Sequence, residues 1–224
     1  MRKRIYTIFI FCMVMVVMVA PHSAVFAKGD RIAKNIILLI GDGMGPSQFW
    51  AAQLYSSRIL KKDLNMFAMM KEGNTAYIVN DTADSTVTES AAAAGQIATG
   101  ERMVARTISM KADGTTEVKT ILEMAKEKGI VSGLVTTSGI TDATPAAFSS
   151  HVPRRYEEDT VAVQQVKLGV DVLMGGRKQF FLPASKGGKR KDGRDITAEA
   201  LKSGYTFVET ARDMNSFSGP GKLL

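Results

Sequence analysis

The sequence predicts an α/β fold with a mostly parallel central sheet flanked by helices. Three observations predict it. Short apolar runs alternate with stretches of helical spacing along the chain. Several runs are apolar without interruption, as strands covered on both faces are. Each such run ends in glycine or an acid, the turn chemistry that follows a parallel strand. At 224 residues and 45% hydrophobic content the chain can bury one substantial core. No boundary to a second domain follows the leader.

Taken in order, residues 35–40 (NIILLI) read as the first buried strand, ending in Gly41-Asp42-Gly43-Met44-Gly45. A helix follows through 49–55, and 75–80 is a short strand. The small residues of 90–98 predict a tightly packed helix. Helical spacing over 118–128 stops at Gly129, a C′ glycine. Residues 130–137 are a further buried strand, ending in Ser138-Gly139-Ile140-Thr141-Asp142. A short helix over 145–151 carries Pro145 in its first turn. Helix 161–168, strand 171–174, helix 196–202 and strand 205–208 complete the alternation. The stretch 187–194 (GGKRKDGR) reads as a solvated charged loop.

Residues 1–27 stand apart. Arg2, Lys3 and Arg4 precede an apolar run over 5–20, and Val25 and Ala27 occupy −3 and −1 of a cleavage site. This is a secretory signal, leaving a mature chain of 28–224 that is periplasmic or secreted. A retained anchor is the alternative, but the run has 16 residues and a spanning helix needs about 20. After cleavage no stable membrane anchor is expected. The single Cys12 lies inside the signal, so the mature chain has neither disulfide nor thiol chemistry. Losing three basic residues takes Lys+Arg from 29 to 26 against 22 acids, near +4 and dispersed. That distribution argues against a nucleic-acid partner.

Ligands of open α/β sheets sit beyond the carboxyl ends of strands. Two such ends carry an acid, Asp42 and Asp142, and Thr144 follows the second. Carboxylates with a hydroxyl suit a hard cation such as Mg²⁺; turn or cap roles are the alternative for each acid. Ser90 opens the small-residue helix, where free amides and the dipole favour a phosphoryl group. A plain helix cap is the competing role.

Several segments resemble alkaline phosphatases of the bacterial type. They are KNIILLIGDGMG at 34–45, VTESAAAA at 87–94 with Thr99-Gly100, TILEMAK at 120–126, DATPAA at 142–147 and HVPRR at 151–155. The strand at 171–176 is similar too, so the resemblance covers about 34–224 in family order. It implies phosphomonoester hydrolysis through a phosphoserine, with Zn²⁺ and Mg²⁺. Ser90 would be the nucleophile; Asp42 would bridge the second zinc and the magnesium. Asp142 and Thr144 would belong to the magnesium site, and Arg155 would clamp the phosphate, with Arg154 competing. Thr99-Gly100 sets the register that selects Ser90 over Ser85.

Two departures stand out: Glu89 where the family commonly has Asp, and Gly95-Gln96 in place of a small pair. The resemblance also implies that the chain corresponds to the family's N-terminal half. Of two histidines, His22 lies in the signal and His151 reads as packed or hydrogen-bonded, so the zinc ligand set is incomplete. The chain alone is therefore expected to be inactive. Its partners would be a phosphate monoester and either a second copy, since a homodimer is the family habit, or a complementing C-terminal half. A non-enzymatic remnant, and a phosphodiesterase or sulfatase-like relative, are the other readings.

Overall fold

The computed structural model describes residues 33–218 and 221–224, so the signal at 1–27 lies outside the described residues. The chain divides into two units between Ile40 and Gly41, and every element below belongs to the second. Its helices are α1 (Pro46–Arg58), α2 (Asn65–Glu72), α3 (Ser90–Thr99), α4 (Ile121–Glu127), α5 (Ala143–Ala146), α6 (Glu158–Leu168), α7 (Ile196–Lys202) and α8 (Ala211–Ser216). The strands are β1 (Gly133–Gly139), β2 (Val172–Gly176), β3 (Tyr205–Thr206) and β4 (Lys222–Leu223).

The strands form one parallel sheet in the order β1-β2-β4-β3. The predicted α/β class with a parallel sheet flanked by helices therefore holds. Local chemistry sets the helix ends. Thr120 and Glu123 form a reciprocal capping box at α4, and Thr210 and Asp213 another at α8. Beyond α4, Gly129 takes φ +69°, the left-handed conformation a C′ glycine supplies at no steric cost.

Two of the three apolar clusters position the site. One joins sheet to helices through Leu122, Ile140, Phe148, Leu173, Phe181 and Ile196, all under 10% exposed. The other is built largely of alanines: Ala91 and Ala94 of α3 meet Ala143 and Ala146 of α5. Side chains one carbon long let these two helices approach closely, which brings their N-termini to one place.

Five expectations are corrected. No strand forms at 35–40 or at 75–80. In the latter, Tyr77, Ile78 and Val79 are 92%, 78% and 87% exposed. Apolarity marks a segment able to pair, but pairing also needs a neighbouring strand, which periodicity cannot supply. The strand predicted at 130–137 begins only at Gly133 and is not buried on both faces. As β1 it sits at the sheet edge, and Val135 is 73% exposed. The helix predicted at 145–151 is instead Ala143–Ala146, because Asp142 caps it from outside by accepting from Ala143 N. Finally, the loop at 187–194 is not simply solvated, since Arg190 is only 3% exposed.

Candidate active site

Glu89, not Ser90, caps α3. Its carboxylate accepts from Ala91 N at 3.1 Å and Ala92 N at 2.9 Å, and from Arg106 N at 2.9 Å. Ser90 is the first residue of the helix proper, so its hydroxyl is released from capping. It donates instead to Asp42 Oδ1 at 2.9 Å. Thr144 Oγ1 donates to the other oxygen, Asp42 Oδ2, also at 2.9 Å. One carboxylate from the turn before α1 thus gathers hydroxyls from the first turns of α3 and α5. The decoy Ser85 has a local job: its Oγ accepts from Val87 N at 3.1 Å.

Arg155 links the remaining parts. Its Nη1 donates to Glu89 Oε2 at 2.6 Å and its Nη2 to Asp142 Oδ1 at 3.1 Å. The backbone holds it in place, with Arg155 N donating to Arg106 O at 2.8 Å. Arg154 is exposed. The five predicted residues fall into two hydrogen-bonded groups, Ser90 and Thr144 on Asp42 and Arg155 on Glu89 and Asp142, set side by side because Glu89 adjoins Ser90 and Asp142 lies two residues before Thr144. A cavity of about 470 Å³ beyond the carboxyl ends of β2 and β4, lined by Phe181, Phe207 and Met214 among others, includes none of them.

Residues not foreseen complete the set. Arg177 follows β2, and its Nη2 donates to Asp142 Oδ2 at 3.2 Å. Its Nη1 pairs with Glu158 Oε1 at 2.7 Å. The carboxyl-end rule applied to the strand at 171–174, and not only to those ending in acids, would have flagged Arg177.

Both central carboxylates titrate below their ordinary range. Burial pushes Glu89 upward, but donation from Ala92, Arg106 and Ala91 amides and from Arg155 outweighs it. For Asp142, burial is likewise outweighed by Ala143 N, the Ser138 hydroxyl and the two arginines. A carboxylate depressed in the folded state stabilises it fully above its unfolded pKa, and that contribution fades as pH falls through the folded value. The melting temperature is therefore expected to fall on acidification from about pH 5 to about pH 3. Glu89→Gln should flatten that dependence, checked by thermal melts across the range.

Asp42, Asp142 and Thr144 are hard oxygen donors, fitting a magnesium-type ion whose remaining positions water fills. They do not fit a pair of zinc ions. Among the described residues no group of three or more His, Cys, Asp or Glu is poised to hold a metal. His151, the one described histidine, is engaged otherwise, its ring nitrogens 3.0 Å from Ser109 O and from Glu123 Oε1.

Known proteins resemble this chain over most of its length. The chain is 38% identical over 195 residues to alkaline phosphatase 3 of Bacillus subtilis, covering 81% of this chain and 39% of that protein. It is 34% identical to the repressible alkaline phosphatase of Saccharomyces cerevisiae, covering 91% of this chain and 38% of the relative. Streptomycin-6-phosphate phosphatase of Streptomyces griseus is 34% identical, covering 94% and 51%. The chain thus spans between about a third and a half of the length of these relatives. The crystal structure of Thermus thermophilus alkaline phosphatase superposes with a TM-score of 0.74 at 34% identity, covering 82% of this chain and 37% of that one. A TAB5 alkaline phosphatase variant of the same fold is described with Mg bound. A family model described as alkaline phosphatase matches residues 33–222, most of the sequence, and the chain belongs to the alkaline phosphatase family.

Proposed function

We propose that this chain takes part in phosphate monoester hydrolysis through Ser90, contributing the nucleophile, the arginine clamp and the magnesium-type donors. The observation that carries this is the convergence of Ser90 and Thr144 on Asp42 from 48 and 102 residues away. Ser90 Oγ attacks phosphorus, the bond to the ester oxygen breaks, and the alcohol leaves with a proton. Water then attacks the phosphoserine, the bond to Oγ breaks, and inorganic phosphate departs while Ser90 regains its proton. Asp42 orients the serine hydroxyl for the first step. Arg155 turns its two Nη groups from Glu89 and Asp142 to two phosphoryl oxygens, which its planar fork matches.

Charge makes a cation necessary to this reading. Among the described residues, the only cations paired with Asp42, Glu89, Asp142 and Glu158 are Arg155 and Arg177, leaving the group at −2 before a phosphate dianion enters. Magnesium held by Asp42, Asp142 and Thr144 would supply positive charge against that repulsion. The zinc donors are proposed to come from outside the described residues, in a second copy or a complementing polypeptide. Export as a periplasmic or secreted protein belongs to the same proposal and rests on the leader at 1–27.

The test is p-nitrophenyl phosphate hydrolysis and metal content of the purified exported chain, beside Ser90→Ala. Alone, with magnesium and zinc supplied, it should hold no tightly bound zinc and turn over no faster than the variant. Turnover that vanishes in Ser90→Ala would keep the nucleophile and move the zinc ligands onto this chain. Turnover that survives the substitution would remove Ser90 from the reaction.

A further inference from the structure

Arg177 adopts φ +69° and ψ +35°, a left-handed backbone that a residue with a side chain takes up only at a cost. That geometry lays its guanidinium between Asp142 Oδ2 and Glu158 Oε1. Glu158 is a fixed anchor: it is 8% exposed, and its second oxygen accepts from Thr141 Oγ1 at 2.7 Å. Gly139, paired with Gly176 across the ends of β1 and β2, leaves the space through which the Arg177 stem passes. A Cβ on Gly139 would overlap Arg177 Cγ and Cδ and lie 2.7 Å from Nε. Three features, a strained backbone, a buried counter-charge and a missing side chain, thus converge on holding one arginine against Asp142.

Asp142 therefore has two arginines, one on each oxygen. If Arg155 were its only arginine, turning Arg155 toward a phosphoryl group would leave a half-buried carboxylate with no guanidinium to fix its orientation. We propose that Arg177 is a positioning residue that keeps Asp142 oriented and charge-paired while Arg155 moves to the phosphoryl group. This rests on the role given to Arg155 above. Arg177 itself touches neither substrate nor nucleophile.

The test has two arms on the full chain, the first in magnesium buffer and the second without magnesium. The first is calorimetric titration with inorganic phosphate. Arg177→Gln should weaken binding roughly tenfold, the worth of one charge-assisted contact. Arg177→Lys, which keeps the charge, should recover most of it, and Gly139→Ala should resemble Arg177→Gln because the stem is displaced. The second arm needs no phosphate. Nitrogen-15 NMR of the Arg155 guanidinium, recorded without magnesium, should show slower rotation and proton exchange in Arg177→Gln, since Arg155 is then the one arginine on Asp142. Should that variant fold poorly because Glu158 loses its partner, Arg177→Gln with Glu158→Gln removes the stranded charge and serves instead. Unchanged Arg155 dynamics overturn the proposal, as does phosphate affinity equal to the parent's. If the parent binds no phosphate yet Arg155 slows in the variant, the phosphate role of Arg155 fails while the positioning stands.

Discussion

Replacing Arg155 with methionine is expected to weaken phosphate binding in magnesium by about 100-fold, the equivalent of two charge-assisted hydrogen bonds. Methionine keeps the length of the stem, so the change isolates the guanidinium. Glu89 and Asp142 both lose a partner, at 2.6 and 3.1 Å. Arg177 still holds Asp142, and the backbone amides still hold Glu89. Stability should therefore fall only by about 1–2 kcal/mol, below the cost of stranding an unpaired buried charge. Arg155→Lys keeps a point charge without the fork and should lie between the two. Calorimetry with inorganic phosphate reads the first effect and a thermal melt the second. Unchanged affinity in Arg155→Met would hand the clamp to Arg154.

Arg190→Met is expected to cost about 3 kcal/mol of stability and to lower the melting temperature by roughly 6–12 °C. The guanidinium is 3% exposed and joins three segments. Nη1 donates to Asp159 O at 2.6 Å and to Phe180 O at 3.0 Å, while Nε donates to Asp192 Oδ1 at 3.0 Å. Methionine would leave two carbonyls without their donor beneath the loop. Asp192 is 39% exposed on its side chain and can rehydrate, which keeps the loss below that of a fully buried pair. Urea denaturation measures it. A loss under about 1 kcal/mol would mean that water replaces the guanidinium.

Legibility from sequence divides along physical lines. α7 was readable at its observed bounds, because apolar spacing and the Asp195 cap are local properties of the chain. The capping box of α4 and its terminating Gly129 are equally local. Strands were less readable: 35–40 and 130–137 look alike as apolar runs, yet only part of the second pairs. Which runs become strands depends on neighbours far along the chain.

The candidate site was named residue by residue from motif likeness, but its wiring was not. Asp42 and Thr144 lie 102 residues apart, and no spacing rule anticipates their contact. Arg177 went unnoticed because it precedes a run of ordinary loop residues and owes its position to backbone strain and to Gly139. Arg190 was hidden by company: a cluster of basic residues reads as surface, and composition cannot say which one turns inward.

The assignment of the α3 cap to Glu89 has a consequence for how freely the reactive position can vary. A serine that both capped a helix and attacked phosphorus would tie chemistry to scaffold, and any exchange would loosen the helix. Here the carboxylate next door bears the amides. With the role proposed for Ser90, the attacking hydroxyl is mechanically independent of the helix cap, so threonine or cysteine at position 90 is expected to alter reactivity without unwinding the first turn. In such an arrangement a scaffold can explore new leaving groups by changing one side chain.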